Sequence, residues 1–388
     1  MKIRFTLLAA AAMSMLSTGA SAVDWGGYFR VGPGQKQIAG GDGNRCFNGG
    51  AIGGKGGIGR LGNECDTYGE FALSQGAKAG GVDYKAVLMT NLYRPGSDPD
   101  GQTIGVNQLY FEAKGYNVAP NQTFWAGRRF YGRADVHMDD NFFVNMSGSG
   151  AGVDGIGLGF GSLNVAVFRS NDTGAATNPG TRLNLDLQGI NVNPGGKLRV
   201  STVFTDFSGA GGKAGTGISL QHNQTGIFGG DNTLWLQYSQ GSAGLDQGFG
   251  GGTNASGKKS WRIVESPSWV TGPLTAQALL QIGEDKNPNG NKQKFSSIAG
   301  RVAYALTTNF KIQGELGTSS MTPVQGANSQ KVTKFTVAPT LTVGPNYYDR
   351  PELRLYVSGF NFNSAYQAAN GLTKSSRTAV GVQAEMWF

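Results

Sequence analysis

The densest group of chemically capable side chains in this sequence is WAGRRFYGRADVHMDDNF, residues 125–142. It contains three arginines, three aspartates and one histidine among several aromatic rings. Such a composition fits a nucleic-acid patch, a metal site or an acid/base centre. It also fits a loop in which arginines and carboxylates brace each other through charge-assisted hydrogen bonds. The elements that position the stretch therefore decide what it can do.

The N-terminus predicts export. Lys2 and Arg4 precede an apolar run at residues 5–16, and the small residues 20–22 follow it as a cleavage site. We predict a secretory signal peptide at residues 1–22 and a mature chain at 23–388. Removal of the two basic residues lowers the formal charge from +8 to 8 − 2 = +6. The mature chain has no apolar run near the ~18 residues of a membrane helix, so we expect no helical anchor.

The composition predicts one large β domain. The chain has 64 glycines and only 15% charged residues, with many Asn, Ser and Thr, which favours strands and turns over helices. No linker or shift in composition divides residues 23–388.

The chain has two cysteines and two histidines. In an oxidising compartment, Cys46 and Cys65 are expected to form one disulfide that closes a surface loop, with two free thiols as the alternative. Zinc needs about four ligands, and His137 and His222 are far apart in sequence. We therefore predict no metal and no other cofactor.

Apolar and polar residues alternate along segments of about ten residues. In LNLDLQ, residues 183–188, the leucines share one face and the polar side chains share the other. The last segment, AVGVQAEMWF, places Trp387 opposite Met386 and Phe388. This period is typical of a transmembrane β-barrel with lipid outside and water inside. A soluble β-sandwich also alternates, but the uncharged polar faces and the terminal aromatic residue favour the barrel.

We predict an all-β fold, a transmembrane antiparallel β-barrel of eighteen strands. At this strand number a barrel is wide enough for an aqueous channel. The predicted strands start near Asp24, Asp66, Gly81, Ile104, Asn121, Val153, Leu163, Thr181, Lys197, Thr216, Asn232, Ser260, Pro273, Lys294, Asn309, Val332, Pro351 and Thr378.

The stretch 125–142 falls in a long connection between the strands near Asn121 and Val153. There its charges can stay in water, which avoids the several kcal/mol that an unpaired buried ion costs. One interpretation is a braced surface loop. The other is a loop that folds inward and forms a constriction lined by opposite charges, which sets what passes.

Several motifs resemble those of maltoporins, the sugar-specific trimeric porins of Gram-negative outer membranes. The matching stretches are VDWGGYFRVG (23–32), RLGNEC (60–65), WAGRRFYGRADVHMDD (125–140), SGSGAG (147–152), INVNPGG (190–196), DRPELRLY (349–356) and GVQAEMWF (381–388). The resemblance implies an eighteen-stranded barrel whose third loop folds into the pore, association of three barrels, and a Cys46–Cys65 disulfide in the first loop.

The resemblance also implies a row of aromatic rings, a slide, along which sugars move. Tyr28, Tyr68 and Trp387 match slide positions, and Tyr348 takes a place that the family fills with tryptophan. For a missing middle aromatic residue, Trp235 or Phe228 is the candidate replacement. A tryptophan that the family contributes from a neighbouring subunit has no counterpart in residues 94–103. The alternative for Tyr28, Tyr68 and Trp387 is an aromatic belt at the membrane interface.

Beside the slide, the family places a polar track and a constriction. The matching residues here are Arg30, Arg60, Glu70, Arg133, Asp135 and Asp140, with His137 also matched. A track arginine near Val106 is missing, and Phe142 replaces the constriction tyrosine. Arg128 and Arg129 fit loop braces as well as sugar contacts, His137 fits a structural histidine, and Glu64 fits a residue that holds the loop.

The expected function is passive diffusion of maltodextrins or related oligosaccharides through the outer membrane. The expected partners are a homotrimer, outer-membrane lipid and the sugar. The alternative is a broader porin for other sugars or small anions, which a charge of +6 would attract.

An enzyme and a nucleic-acid binder are both disfavoured. His137, Ser147 and Asp135 are close in sequence, but serine is so common here that a catalytic triad is a weak interpretation. The three aspartates lie among arginines, whereas a glycosidase acid needs an apolar pocket. Export and the balancing acids argue against nucleic acid.

Overall fold

The computed structural model describes residues 23–32, 34–40, 57–64, 66–94, 103–170, 180–207, 213–250, 257–322 and 328–388. The predicted signal peptide, residues 1–22, and both cysteines, Cys46 and Cys65, lie outside the described residues. The signal peptide and the disulfide therefore stay predictions.

The described residues are almost entirely β-structure. The strands are β1 Asp24–Val31, β2 Gln35–Ala39, β3 Thr67–Ala79, β4 Val82–Arg94, β5 Ile104–Tyr116, β6 Ala119–Arg129, β7 Ala134–Val136, β8 Asn141–Val144, β9 Gly148–Gly157, β10 Ser162–Arg169, β11 Thr181–Asn193, β12 Gly196–Asp206, β13 Gly215–Ile227, β14 Gly230–Gly241, β15 Lys259–Thr271, β16 Leu274–Lys286, β17 Lys292–Thr307, β18 Phe310–Met321, β19 Gln330–Thr342, β20 Glu352–Phe362 and β21 Ser376–Trp387, and the helix is α1 Ser364–Asn370.

The main sheet is a closed antiparallel barrel. Each wall strand pairs with its neighbour in the chain, and β1 pairs with both β3 and β21, which closes the ring. In the described part of the chain this sheet has nineteen strands. Because β2 continues β1 and pairs with the same strand, β21, the two count as one, and the wall has eighteen strands. The predicted barrel is confirmed, and a two-sheet sandwich is excluded because one sheet closes on itself.

The predicted alternation corresponds to an outer and an inner face. On β14, Leu236 and Tyr238 are exposed on the outside, whereas the alternating residues Trp235 and Gln237 are buried. On β15, Trp261 and Trp269 both lie on the outer face and are separated by eight residues, or roughly 26 Å of strand. At a strand tilt of about 40° this length spans about 20 Å of membrane height, close to the ~25 Å apolar band between the aromatic girdles of membrane barrels.

Short turns join the strands at one end of the barrel and longer connections join them at the other. The turn between β11 and β12 is only Pro194–Gly195, whereas residues 130–147 connect β6 to β9. Barrels of this type turn their short connections to the periplasm and their long ones outward.

The connection at residues 130–147, loop 3, contains the small hairpin β7–β8. Its Met138, Phe143 and Met146 are fully buried and pack with inner-face residues such as Trp235 and Leu279. Three inner-face arginines hold its backbone, Arg301 on Met138, Arg262 on Phe143 and Arg182 on Met146. Loop 3 therefore packs against the inner face of β11 to β17.

A second connection, loop 1 (described at residues 57–64 and 66), packs against the inner face of the neighbouring strands. Lys334 on β19 donates hydrogen bonds to the carbonyl oxygens of Gly59 and Leu61 at 2.8 and 2.7 Å. Gly317 on β18 makes room for it, because a Cβ there would lie 2.6 Å from the backbone of Ile58.

Two local features depart from the predicted strand pattern. The first wall strand is interrupted between Val31 and Gln35, because its pairing with β21 shifts register there. Helix α1 forms in the last long connection, where Asn363 caps its N-terminus and Tyr366 packs on Phe362 at 5.2 Å. No helix in the described residues is long and apolar enough to cross a membrane.

Candidate functional site

Most of the predicted channel residues surround one pocket. Its volume is about 280 Å³, and it lies between β1, β3, β21 and loops 1 and 3. The strand register explains why these residues lie together, because Tyr28 pairs with Glu70 and with Trp387, and Arg30 pairs with Tyr68. Residues directly opposite in a sheet point to the same face, here the inner one. The lining residues are Tyr28, Arg30, Arg60, Tyr68, Glu70, Arg133, His137, Asp140, Phe142 and Trp387.

Aromatic rings form a row along this wall. The ring centroids of Tyr93 and Tyr68 are 6.4 Å apart, and those of Tyr68 and Tyr28 are 6.1 Å apart. Trp387 follows beside Tyr28 in the register. We call Tyr93, Tyr68, Tyr28 and Trp387 the aromatic row.

Tyr93 was not among the predicted site residues. It pairs directly with Tyr68, so it lies on the inner face, and it is 49% exposed. The sequence signal for Tyr93 is the alternation in TNLYR, residues 90–94, in which Leu92 faces outward and Asn91 and Tyr93 face inward. The residue was missed because strand alternation alone does not say which inward side chains border open space.

Two arginines beside the row are held by carboxylates. Arg30 makes two 2.8 Å hydrogen bonds to Asp66 and one to Glu64 at 2.8 Å. Arg60 contacts Glu64 at 2.9 Å and Glu385 at 2.8 Å. Glu64 thus joins both arginines, and the paired guanidinium groups are fixed rather than free to swing.

The remaining polar side chains of the row are also held in place. Glu70 accepts hydrogen bonds from the Tyr68 hydroxyl and from the Asn107 amide. The Tyr28 hydroxyl lies 3.0 Å from Glu385 and 2.8 Å from Arg60. Rings fixed by their hydroxyl groups lose little further freedom when a ligand stacks on them.

Arg133 is held differently from Arg30 and Arg60. Its guanidinium lies 3.8 Å from the ring centre of Phe142 and 4.2 Å from that of Phe130, between the two rings. Its buried Nε has no hydrogen-bond partner among the described residues. Cation–π contacts leave hydrogen-bond donors of the guanidinium available to a solute.

Loops 1 and 3 are clasped together beside the pocket. The backbone N–H groups of Gly57 and Gly59 both donate to Asp139 Oδ1, at 2.8 and 3.2 Å. The Arg60 N–H donates to the Met138 carbonyl at 2.8 Å. Burial raises the pKa of Asp139 to about 7, against the opposing effect of the two N–H groups.

His137 lies at the end of the aromatic row. Its ring centroid is 5.7 Å from Trp387 and 5.2 Å from Tyr348. Burial, and then the nearby Arg60, lowers the pKa of His137 well below its usual value, so the imidazole is neutral. Its Nε2 lies 3.2 Å from Arg350. The described residues contain no group of His, Cys, Asp and Glu that could hold a metal ion.

Tyr348 and Asp135 lie next to this pocket without lining it. Tyr348 is 50% exposed in the turn between β19 and β20, and it touches His137. Asp135 is exposed on β7 of loop 3. Both positions extend the polar and aromatic surface beyond the pocket.

Trp235 and Phe228, the candidates for the missing slide aromatic residue, both lie away from the aromatic row. Trp235 faces inward as its parity predicts, but it is only 2% exposed because loop 3 covers it, with Phe143 at 5.3 Å. Phe228 is 94% exposed in the short turn between β13 and β14. Neither ring adjoins the aromatic row.

Arg128 and Arg129 both brace the wall. Arg128 donates to the Asn107 carbonyl at 3.2 Å. Arg129 pairs with Asp154 at 3.1 Å and Glu112 at 3.4 Å, and lies against the ring of Trp125. These contacts favour the bracing interpretation over direct sugar contact.

The fold and the site together define a class. A closed eighteen-stranded barrel with an apolar outer face, a polar inner face and loops packed inside is an outer-membrane porin. Solved structures of similar fold are Acinetobacter baumannii OccAB1, with a TM-score of 0.53 at 11% identity and coverage of 94% of this chain and 96% of that one, and OccAB2 of the same organism, with a TM-score of 0.51 at 10% identity and coverage of 94% and 98%. At these identities the likeness concerns the fold alone.

The LamB porin family model matches residues 23–388, and the chain belongs to this family. A maltoporin of Hahella chejuensis (strain KCTC 2396) is 32% identical, with 98% of this chain and 96% of that protein covered. Maltoporin 1 of Aeromonas salmonicida (strain A449) is 28% identical with full coverage of both. The protein is therefore a channel of the Gram-negative outer membrane rather than an enzyme.

Proposed function

We propose that this porin conducts maltodextrins or closely related oligosaccharides by passive diffusion. The observation that carries the proposal is the pocket of about 280 Å³ in which three rings of the aromatic row meet fixed arginines and carboxylates. The maltoporin relatives, similar over nearly their whole length, support the same substrate class.

The geometry suits a sugar ring. A pyranose has apolar C–H faces, on which aromatic rings stack with large rigid area and little ordering cost. Its hydroxyl groups lie around the edge, where Arg30, Glu70 and Arg133 offer donors and acceptors. Several moderate contacts in succession let a solute enter and still leave.

Loop 3 would form the constriction in this account. It carries Arg133, Asp140 and Phe142 to the pocket, opposite the wall residues Tyr68 and Glu70. Phe142 offers no hydroxyl at this point, so discrimination there would depend on ring contact and on the guanidinium of Arg133.

The test is single-channel current through the full mature protein in planar bilayers. We expect maltodextrins to block the current more strongly as their length increases, because longer chains contact more of the row. Equal block by sucrose would broaden the substrate to other sugars. Strongest block by an anionic oligosaccharide would favour the broader anion-accepting porin instead, and no block by any sugar would overturn the proposal.

Three further features belong to the same proposal. Residues 1–22 act as a signal peptide, in keeping with the family match that begins at Val23. Cys46 and Cys65 form a disulfide in loop 1. Three copies of the barrel form a homotrimer, which native mass spectrometry of the detergent-purified protein tests together with the mature mass.

A further inference from the structure

A group of lysines lies on the outer face of the barrel at its long-loop end. Lys213 and Lys258 belong to the connections before β13 and β15, and Lys259 begins β15. These three lysines, with Thr216 and Gln240, line a pocket of about 420 Å³. The volume is within the usual range for a small-molecule site.

The register of the wall extends this group with two more lysines. Lys259 pairs directly with Lys286 on β16, and Lys286 pairs directly with Lys292 on β17. Like charges directly opposite each other destabilise a sheet. In the described part of the chain, only Lys292 of these three has a carboxylate partner, Glu284 at 2.9 Å.

The height of this row places it at the membrane surface. Trp261 follows Lys259 by two residues on the outer face of β15 and belongs to the aromatic girdle at the long-loop end. Lys259 and Lys213 are exposed, and Lys292 retains 60% exposure of its side chain despite its ion pair. Lys213, Lys259, Lys286 and Lys292, of which Lys292 has a carboxylate partner, thus lie at the headgroup level of the outer leaflet, whereas Lys258 donates to the carbonyl of Gly250.

We propose that these lysines bind the phosphate groups of outer-leaflet lipids. A phosphate between Lys259 and Lys286 relieves the repulsion within the row and forms charge-assisted hydrogen bonds with the ammonium groups. The pocket above it, with the Thr216 hydroxyl and the Gln240 amide, accepts the polar part of the headgroup. This site is separate from the channel pocket and independent of the sugar that the channel carries.

The test compares lipid retention by the full protein in phosphatidylcholine nanodiscs that contain lipid A, a phosphorylated glycolipid. Native mass spectrometry after extraction counts the retained lipid A. The rim variant combines Lys213→Gln, Lys259→Gln and Lys286→Gln, and we call these three residues the rim lysines. The matched control combines Lys78→Gln, Lys114→Gln and Lys197→Gln, three exposed lysines at or near the short-turn end.

We expect a loss of about five-fold in lipid A affinity for each rim lysine removed, or on the order of 100-fold for the triple variant. The control should retain lipid A like the wild type, and high salt should weaken binding in the wild type. Equal retention by the rim variant, or an equal loss in the control, would overturn the proposal. If inorganic phosphate competes for the site with the same affinity as lipid A, the ligand is free phosphate, and that result would also overturn the proposal.

Sugar block of the current is measured on the same variants. Because the rim lysines lie outside the channel pocket, the block should equal that of the wild type, which also shows that the variants fold. A wild type without sugar block that still retains lipid A would contradict only the proposed function.

Discussion

Tyr68 is the centre of the aromatic row. It contacts Tyr93 and Tyr28 on either side, its hydroxyl donates to Glu70, and Arg30 lies 5.3 Å from its ring centre. A ring held by neighbours on several sides keeps its orientation, so it can offer a fixed face to a passing sugar.

Removal of a ring from the row should weaken sugar block. We expect Tyr68→Ala or Trp387→Ala to cost ~1–3 kcal/mol of maltodextrin affinity each, on the stacking scale known for bases on aromatic side chains. Titration of the single-channel current measures the effect. Tyr304→Ala is the control, because Tyr304 is 50% exposed on the outer face. If maltodextrin blocks the current of both row variants as strongly as that of the wild type, neither ring lies on the path of the sugar.

Charge at the constriction should set the ion selectivity. Arg133 lies between the rings of Phe130 and Phe142, whereas Asp140 lies 3.3 Å from Arg30. We expect Arg133→Gln to shift selectivity toward cations and Asp140→Asn toward anions, and the double variant to be less selective than the wild type. Reversal potentials in a salt gradient measure this, and unchanged potentials in all three variants would place both residues away from the narrowest point.

At this scale, the sequence predicts which way a side chain points better than what covers it. Alternation placed Trp387 on the inner face, and the motifs of the resemblance added Tyr28, Tyr68, Arg60 and Arg133. Trp235 satisfied the same alternation and is buried, because loop 3, more than ninety residues earlier in the chain, lies on top of it. Local periodicity contains no information on such a distant partner.

Loop 3 is the element on which the channel geometry depends. Its backbone is held by three inner-face arginines, and its buried side chains fill one side of the barrel. The loop therefore acts as part of the wall and not as a mobile lid.

Loss of the packing under loop 3 should widen the channel. Trp235→Ala removes a ring that is 2% exposed, which costs roughly 3–5 kcal/mol in a packed core. We expect larger conductance and more open-channel noise. Trp269→Ala, on the outer face of the adjacent strand, should leave the conductance unchanged. A wild-type conductance in Trp235→Ala would show that the loop does not depend on this contact.

The clasp between loops 1 and 3 should weaken as the pH rises. The pKa of Asp139 is about 7 in the folded protein, above the ~3.9 of a free aspartate. Between these values the folded state binds more protons than the unfolded state, so this group's contribution to stability falls as the pH rises from about 4 to about 7. We expect hydrogen exchange of loop 1 amides, corrected for its intrinsic rate, to increase over this window.

Asp139→Asn should abolish that pH dependence, because asparagine keeps the oxygen acceptor for Gly57 and Gly59 without a titrating group. Asp83→Asn, whose side chain is 65% exposed, is the control and should behave like the wild type. A persistent pH dependence in Asp139→Asn would assign it to another group.

The elements were predicted unevenly. The strand starts agree closely, and the largest error is at β9, expected near Val153 and observed from Gly148. Strands are predictable because lipid and water impose a period of two. The inward packing of loop 1 and the helix α1 were not predicted, since they depend on contacts such as Ile58 against Gly317 that join distant segments.

The barrel as a whole separates two solvents, lipid on its outer face and water on its inner face. Its outer face is apolar between the tryptophan girdles, and its inner face carries polar side chains, including the buried pair Arg301–Glu315. The channel function requires that water and sugar reach the inner face while lipid covers the outer one.

Cysteine labelling of two adjacent residues tests this most directly. Glu70 lines the pocket, and the next residue, Phe71, faces outward beside Trp25. In the reconstituted protein, Glu70→Cys should react with a membrane-impermeant thiol reagent and Phe71→Cys should not. Labelling of the wild type measures the background from Cys46 and Cys65. Maltodextrin should slow the reaction of Glu70→Cys. Equal labelling at both positions, or labelling at Glu70→Cys that saturating maltodextrin leaves unchanged, would contradict the account.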